Sequence, residues 1–472
     1  MLLITMNQEQ FEYDVHSLVK AFYPLEEVKI KKEGELPFLD IKYKESSISF
    51  TMKNQKSEIE RNKEDRIDTK NKLKREIYEL LSLETKKKLP WGTLTGIRPV
   101  KLAMKLLEAG KKEREVKEYL KETYLLSNEK LELSLEIAKR EKQIVKQFHI
   151  RDGYSLYIGI PFCPTTCLYC SFPSFPIHQW KGRVNDYLDA LEKEIKGTWD
   201  ILKEKKLDTI YIGGGTPTSL TPEELSCLLS MIEKYFPIKE ALEFTVEAGR
   251  PDTMTREKLS ALRKYGIERI SINPQTMEER TLELIGRSHS KEQVKEAFYL
   301  ARELGFSNIN MDLILGLPGE GKGEIRRTIE EVKKMDPDSL TVHSLAVKRA
   351  SKLGQWMEEH PEQLLLNNEE IMNIPYEGAR QMGLLPYYLY RQKNMAGNFE
   401  NVGYAKPGKY GMYNIITMEE KQSILALGAG SISKRVHADG RIERCENVKD
   451  VALYIEKIDE MIERKRKLLT DF

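Results

Sequence analysis

The stretch YSLYIGIPFCPTTCLYC, residues 154–170, holds the pattern on which the reading of this 472-residue chain turns. Tyr154 to Ile160 make a short apolar run of strand length, and Pro161 stops it. Just beyond, Cys163, Cys167 and Cys170 fall on one loop at x3 and x2 spacing, beside two prolines. Downstream the rhythm repeats: DTIYIGGG, LEFTVEAG, RISINPQ, NINMDLILGLPG and SLTVHSLAV begin near 208, 242, 269, 308 and 339. Helix-period segments such as VNDYLDALEKEIKGTWDIL and PEELSCLLSMIEKYF lie between the runs. Six strand-helix repeats, each strand ending in Gly, Pro or polar residues, predict an α/β fold. The expected core is a partial (β/α)6 TIM-like barrel over 151–346, with parallel strands whose C-terminal ends carry the site.

The flanks read differently. Residues 1–150 are expected to form an N-terminal α+β accessory module. Phe11, Val15, Leu18, Val19 and Phe22 share one helix face that ends at Pro24, and the alternation of Ile41 and Tyr43, then Ile48, Phe50 and Met52, predicts a small antiparallel sheet. From Ser57 to Phe148 the pattern is helical and charge-rich, broken at LPWGTLTGIRPVKL before a helix ending near Gly110. Residues 347–472 are expected to form a C-terminal α+β region covering the barrel mouth: a Gly/Tyr/Asn-rich stretch from Tyr387 to Asn414, an apolar GAGSIS segment and a charged helix.

With 76 Lys+Arg against 74 Asp+Glu the net charge is +2, which excludes a strongly basic nucleic-acid coat or an acidic tail protein. Residues 51–150 hold 25 basic and 17 acidic side chains, but the two signs interleave, so solvated helix faces are favoured over an RNA-binding surface. Nucleic acid is therefore not an expected partner. No apolar run approaches the roughly 18 residues of a membrane helix, and MLLITMNQEQ has neither a basic start nor a long apolar stretch. A cytoplasmic protein without a membrane span is expected. Of five cysteines, Cys227 and Cys445 stand alone while the other three cluster, a usage that points to a reduced compartment and metal ligation.

Three soft ligands on one loop suggest an iron-sulfur or a zinc site. Structural zinc takes four ligands, commonly in two separated pairs, and no second pair exists here. Three ligands on a cubane would leave one iron open for a cofactor. GGGTP at 213–217 follows the second strand, where glycines let backbone approach a ligand closely and leave its N–H and C=O groups open. Glu247, read as two residues past an apolar strand, offers a carboxylate to hydroxyl or amine donors, and Arg287 offers a planar fork to a carboxylate. His289 and His343 belong to no metal-ligand spacing and are read as structural.

The C-x3-C-x2-C loop after the first strand, with aromatic Tyr169 before the third Cys, resembles the radical S-adenosylmethionine superfamily. GGGTPT, TVEAGRP, RISINPQT, LIGRSHS, NMDLILGLPGE and SLAV recur in the order of the oxygen-independent coproporphyrinogen III oxidase family. PWGTLTGIRP, YLYRQKN and NFENVGY are most similar to its HemZ-type, coproporphyrinogen dehydrogenase-like branch. The resemblance implies a 4Fe-4S cluster on Cys163, Cys167 and Cys170 and one or two molecules of S-adenosylmethionine. It implies cofactor contacts at Tyr157, Tyr169, Gly214, Gly215, Thr216, Glu247, Gln275, Arg287, Asp312, Ala346 and Ile432. The implied reaction is oxidative decarboxylation of two coproporphyrinogen III propionates to vinyls, giving protoporphyrinogen IX, with a low-potential electron donor such as flavodoxin or ferredoxin as partner. A tetracarboxylate substrate needs cations, and Arg250, Lys348, Arg349, Arg391 and Lys393 follow strand ends where they could supply them.

One departure opens alternatives. Oxidases of the family carry a further cysteine soon after the triad, where this chain reads SFPSFP over 171–176. The CLYCSF pattern is shared with haem chaperones of the superfamily, so a haem-binding protein without oxidase activity is the second reading. A radical RNA-modifying enzyme is the third, and it lacks a binding module of interleaved basic and aromatic residues.

Overall fold

The computed structural model describes residues 1–470 apart from 25, 97, 349–350, 361–362, 364–366 and 392–398. Two compact units divide the chain: Met1–Lys139 with Tyr390–Glu400, and Arg140–Leu389 with Asn401–Phe472.

In the first unit, β1 (Leu2–Met6), α1 (Glu12–Phe22), β2 (Val28–Lys31), β3 (Leu39–Tyr43), β4 (Ser47–Met52) and β5 (Gln55–Glu60) build a five-stranded sheet of order β2-β1-β3-β4-β5. The expected alternation holds in β4, where Ile48, Phe50 and Met52 are buried. The sheet is mixed rather than antiparallel, because β1 pairs parallel with both β2 and β3. A parallel pair needs a crossover, and α1 supplies it, burying Val15, Leu18, Val19 and Phe22. Helices α2 (Arg66–Thr85), α3 (Val100–Glu108), α4 (Glu113–Tyr124) and α5 (Asn128–Ile144) follow, the first capped by the Asp65 carboxylate accepting from the Ile67 and Asp68 N–H groups.

Within this unit the PWGTLTG turn and the Tyr390–Glu400 segment share one buried cluster. Trp91, fully buried, donates from Nε1 to Glu400 Oε2 at 2.7 Å, and the Lys130 ammonium pairs with the same carboxylate. Lys130 and Arg391 both lie over the Trp91 ring, at 5.9 and 5.7 Å, and Arg391 donates to the Leu94 carbonyl at 2.5 Å.

The second unit is built on β6 (Gly153–Ile160), β9 (Lys206–Gly214), β10 (Glu243–Gly249), β11 (Arg269–Gln275), β12 (Asn308–Leu315) and β13 (Ser339–Ser344). These six strands are parallel neighbours in that order, close to the bounds the apolar runs predict. Between β6 and β9, two short strands, β7 (Phe162–Cys163) and β8 (Phe175–Pro176), pair with each other. Helices α6 (Val184–Leu202), α7 (Pro222–Tyr235), α8 (Arg256–Lys264), α9 (Glu279–Leu284), α10 (Lys291–Glu303) and α11 (Lys322–Met335) connect the strands. Capping boxes start α7, with Thr221 and Glu224, and α10, with Ser290 and Gln293.

C-terminal segments extend both edges of this sheet. Beyond α12 (Leu353–Glu359) and α13 (Glu369–Gln381), β14 (Leu385–Tyr390) and β15 (Asn401–Ala405) continue it past β13, with β15 antiparallel to β13. After α14 (Met412–Glu419), β16 (Ser423–Leu427) joins parallel to β6, and β17 (Ile432–Val436) and β18 (Ile442–Glu446) follow antiparallel. Helices α15 (Val451–Glu456) and α16 (Ile458–Leu469) end the chain. A fully buried ion pair fixes this end: Lys465 Nζ meets Glu194 Oε1 at 2.6 Å. The same carboxylate accepts from Asn447 Nδ2, Tyr454 Oη and the Gly428 N–H at 2.6–2.8 Å, so the charge is both paired and hydrogen-bonded. No described helix is long and apolar enough to cross a membrane.

Candidate active site

The cysteine loop leaves β6 at Pro161 and closes on itself where β7 meets β8, the Phe175 N–H donating to the Pro161 carbonyl at 2.8 Å. A turn bonds Cys170 N–H to the Cys167 carbonyl at 3.1 Å. The loop is tied to the segment after α9 by Leu168 N–H to Ile285 O, 3.0 Å, and Thr165 Oγ1 to Gly286 O, 2.9 Å. Its third support is the GGGT turn after β9: the Gly215 and Thr216 N–H groups donate to the Ile160 and Phe162 carbonyls, each at 2.7 Å. These two donors are therefore engaged with the cysteine loop rather than left open as the sequence suggests. A Cβ on Gly215 would stand 2.5 Å from Phe162 O and 2.9 Å from Ile160 O, so the close approach itself demands glycine. Gly214 takes φ 105°, beyond the reach of ordinary side chains.

Burial pushes the Cys163 thiol up to about 11; the Thr216 hydroxyl, 3.5 Å away, pulls the other way. Cys170 is also raised, mainly by burial. Both are neutral thiols at neutral pH unless a cationic centre draws off their protons, the usual coupling of metal binding to thiol ionisation. Arg287, buried beside Cys167 and Tyr169, donates to the Asn273 carbonyl, while its Nε has no partner. Among the described residues no trio of His, Cys, Asp or Glu converges on a single ion. A cubane does not require such convergence, because each thiolate holds its own iron.

Inside the strands, alternate side chains form a continuous polar lining. Tyr157 (β6) pairs in register with Tyr211 (β9), and the Tyr413 ring from α14 stacks on both, with centroids 6.2 and 4.5 Å away and planes within 21°. Tyr211 Oη donates to Glu247 Oε1 (β10) at 2.5 Å. Burial and the Asp312 charge raise Glu247 to about 7, against the Tyr211 hydroxyl, the Gly214 N–H and His343. Asp312 (β12) stays below the usual carboxylate range, held down by His343, Asn310 and Thr341 against its burial. Asn310 Nδ2 spans Asp312 Oδ1 and Ser271 Oγ at 2.7 and 2.8 Å, and Ser271 Oγ donates to Asn273 Oδ1 at 2.7 Å.

Gln275 ends β11 at a register irregularity with φ 67°, and its buried Oε1 has no hydrogen-bond partner. A positive φ at a non-glycine residue is strained, and the unpaired amide oxygen beside it leaves an acceptor open. Ala346 is buried just past β13. Ile432 opens β17 and is 40% exposed, beyond the loop that follows β16 on the side of the β6 C-terminus. Of the cations, Arg250 is not available to a substrate: it is buried, forked onto Asp252 at 2.8 and 3.0 Å, and bonded to Thr165. Arg391 belongs to the first unit. Lys348 is half-buried past β13. Arg349 and Lys393 lie outside the described residues. His343 stands 3.7 Å from Asp312, and burial beside Arg287 drives His289 down to about 4.

Tyr211, Asn310 and Tyr413 are the lining residues that sequence reading passes over. The period-2 face shared with Tyr157 could have found Tyr211, and the Asp312 face could have found Asn310. Tyr413 lies in the Gly/Tyr/Asn-rich stretch from Tyr387 to Asn414, some 200 positions beyond Tyr211, and nothing in that stretch sets it apart from its neighbouring tyrosines.

The donor set fits a cluster and an amino-acid cofactor: three thiols on one loop, an unpaired Gln275 oxygen, an unpaired Arg287 nitrogen and a carboxylate beside the Gly214 N–H. This is the arrangement of the radical SAM superfamily, whose model matches residues 157–332. The chain is 45% identical over 408 residues to the oxygen-independent coproporphyrinogen-III oxidase-like protein HemZ of Bacillus subtilis, covering 85% of this chain and 81% of that one, and it belongs to that family. It is also 42% identical over 195 residues to the heme chaperone HemW of Bacillus subtilis, covering 41% of this chain and 51% of that one. Among solved structures, coproporphyrinogen III oxidase HemN of Escherichia coli matches in fold with a TM-score of 0.54 at 24% identity, over 68% of this chain and 72% of that one. As a radical SAM protein the chain takes a 4Fe-4S cluster and S-adenosylmethionine.

Proposed function

We propose that this protein is a radical SAM oxidoreductase of porphyrin biosynthesis, converting propionates of coproporphyrinogen III to vinyls without oxygen to give protoporphyrinogen IX. The observation that carries the reading is the 45% identity to an oxidase-like protein over most of both chains. The cluster and S-adenosylmethionine, when bound, supply hydrogen-atom abstraction from carbon. The chain's own residues hold and shield. Cys163, Cys167 and Cys170 would ligate the cluster. Glu247, Gln275, Arg287 and Asp312, at the ends or inner faces of three strands and one following loop, would hold the cofactor's polar groups. The stacked rings of Tyr157, Tyr211 and Tyr413 would pack an apolar surface beside the Glu247 carboxylate. A low-potential electron donor is the partner such chemistry calls for.

A second reading is favoured by one observation: the 171–176 segment SFPSFP brings no further cysteine, and HemW proteins match the core at up to 42% identity. A single anaerobic assay separates the two, with coproporphyrinogen III, reductant and S-adenosylmethionine, followed by mass spectrometry of the porphyrins. Loss of carbon dioxide from one or two propionates, with deoxyadenosine formed in step, is expected. Unchanged substrate beside tight, transferable haem binding would move the assignment to a haem carrier.

A further inference from the structure

Glu247 sits in a slot that the strand repeats alone do not make. Its carboxylate lies against Gly213, where a Cβ would come within 3.0 Å of it, and takes the Gly214 N–H and the Tyr211 hydroxyl. Tyr211 is in turn covered by Tyr413, 4.5 Å centroid to centroid, from a helix far outside the strand-helix series. That helix is anchored at its first turn: the Met412 and Tyr413 N–H groups donate to Glu243 Oε2 and Oε1 at 2.6 and 3.3 Å. Glu243 begins β10, and Glu247 lies near the end of the same strand. The path Glu243, Tyr413, Tyr211, Glu247 thus leaves one strand and returns to it. None of its members can drift without straining a strand bonded into the sheet on both sides.

We propose that Tyr211 and Tyr413 are positioning residues for Glu247, holding its carboxylate as the acceptor for a cationic amine. The proposal rests on the reading of Glu247 as a cofactor contact, the amine being the amino group of S-adenosylmethionine. The hydroxyl of Tyr211 donates to the charged carboxylate and favours that form; the Tyr413 ring keeps the hydroxyl aimed. The other groups facing Glu247 are Asp312, which opposes its ionisation, and His343, which favours it; Tyr157 and Tyr413 lie beside it as neutral phenols.

The test is an infrared titration of the carboxyl band on anaerobically prepared protein without S-adenosylmethionine, the band being identified by its loss in Glu247→Gln. In Tyr211→Phe, which keeps ring and volume, the midpoint should rise by about one pH unit. Tyr413→Ala should move it the same way, and Tyr413→Phe, which keeps the stack, should leave it in place. The ratio of wild-type to Tyr211→Phe affinity for S-adenosylmethionine should be about fivefold at pH 7 and close to one at pH 9; the ratio cancels the deprotonation of the cofactor's own amine, which weakens both proteins alike, and a merely loosened fold would not make it close up. An unchanged midpoint in Tyr211→Phe overturns the proposal, and one unchanged in Tyr413→Ala removes Tyr413 from it. A midpoint that moves while that affinity ratio stays constant across pH overturns instead the reading of Glu247 as a cofactor contact. None of these outcomes depends on whether coproporphyrinogen is the substrate.

Discussion

At the scale of the residue, two groups of side chains carry sharp expectations. Cys163, Cys167 and Cys170 share one loop, whereas Cys227 is exposed on α7 and Cys445 is buried in β18. Replacing any of the three by Ser should abolish iron and sulfide in anaerobically purified protein, and Cys227→Ser or Cys445→Ser should leave both intact. Iron loss in Cys445→Ser would disclose a fourth, remote ligand. Glu247 carries a pH signature. Its folded-state value, about 7, is raised above the ordinary 4.5, chiefly by burial. The stability it lends is therefore complete below about 4.5 and is lost as pH rises through 7, a penalty of roughly 3 kcal/mol at alkaline pH. Glu247→Gln removes the titration, so chemical denaturation should show this variant gaining on the wild type between pH 5 and pH 8. A constant difference between the two across that range would mean that Glu247 is not the buried acid described.

At the scale of the element, the GGGT turn and the cysteine loop stand or fall together. The atoms a Cβ on Gly215 would meet are the backbone carbonyls of Phe162 and Ile160, which no rotamer change can move aside. Gly215→Ala should displace β7, weaken folding by about 1–3 kcal/mol and lower iron content several-fold, read by melting temperature and iron analysis on the same preparations. Wild-type iron content in this variant would show that the loop does not need the turn. The six parallel strands were legible because each is an apolar run of the right length closed by Gly, Pro or a polar residue, and the cysteine spacing was legible because it is local. What sequence could not show is pairing at a distance. The parallel partners of β1 depend on a crossover, and the seat of β16 beside β6 joins residues more than 260 positions apart. The same limit hid the true occupation of the Gly215 and Thr216 N–H groups, whose acceptors lie on another strand end. Tyr413 is the clearest case: the Gly/Tyr/Asn-rich stretch to Asn414 is expected at the barrel mouth, but which of its tyrosines stacks on Tyr157 and Tyr211 is a pairing at a distance.

At the scale of the whole molecule, the division into two units does not follow the chain. Tyr390–Glu400 runs from the last residue of β14 to the residue before β15, yet it groups with Met1–Lys139. There the reason is chemical: Glu400 is 2% exposed and holds both the Trp91 N–H and the Lys130 ammonium, while Arg391 is 4% exposed and bonded to Leu94 O. A fragment of residues 140–472 would strip all of these partners away. Glu400 and Arg391 then lose the bonds to Trp91, Lys130 and Leu94 that offset their burial, and the Arg391 side chain is expected to become more accessible. Trypsin should then cut the fragment after Arg391 and spare the full chain, where that side chain is enclosed. Arg269 supplies the internal control, being buried in β11 with bonds to Asn308, Ser339 and Lys409 that all lie in the second unit. Cleavage at Arg391 with Arg269 spared and iron retained would show that Trp91, Leu94 and Lys130 are what keep Arg391 and Glu400 enclosed. Equal resistance at Arg391 in both proteins would show that these contacts are not what encloses it.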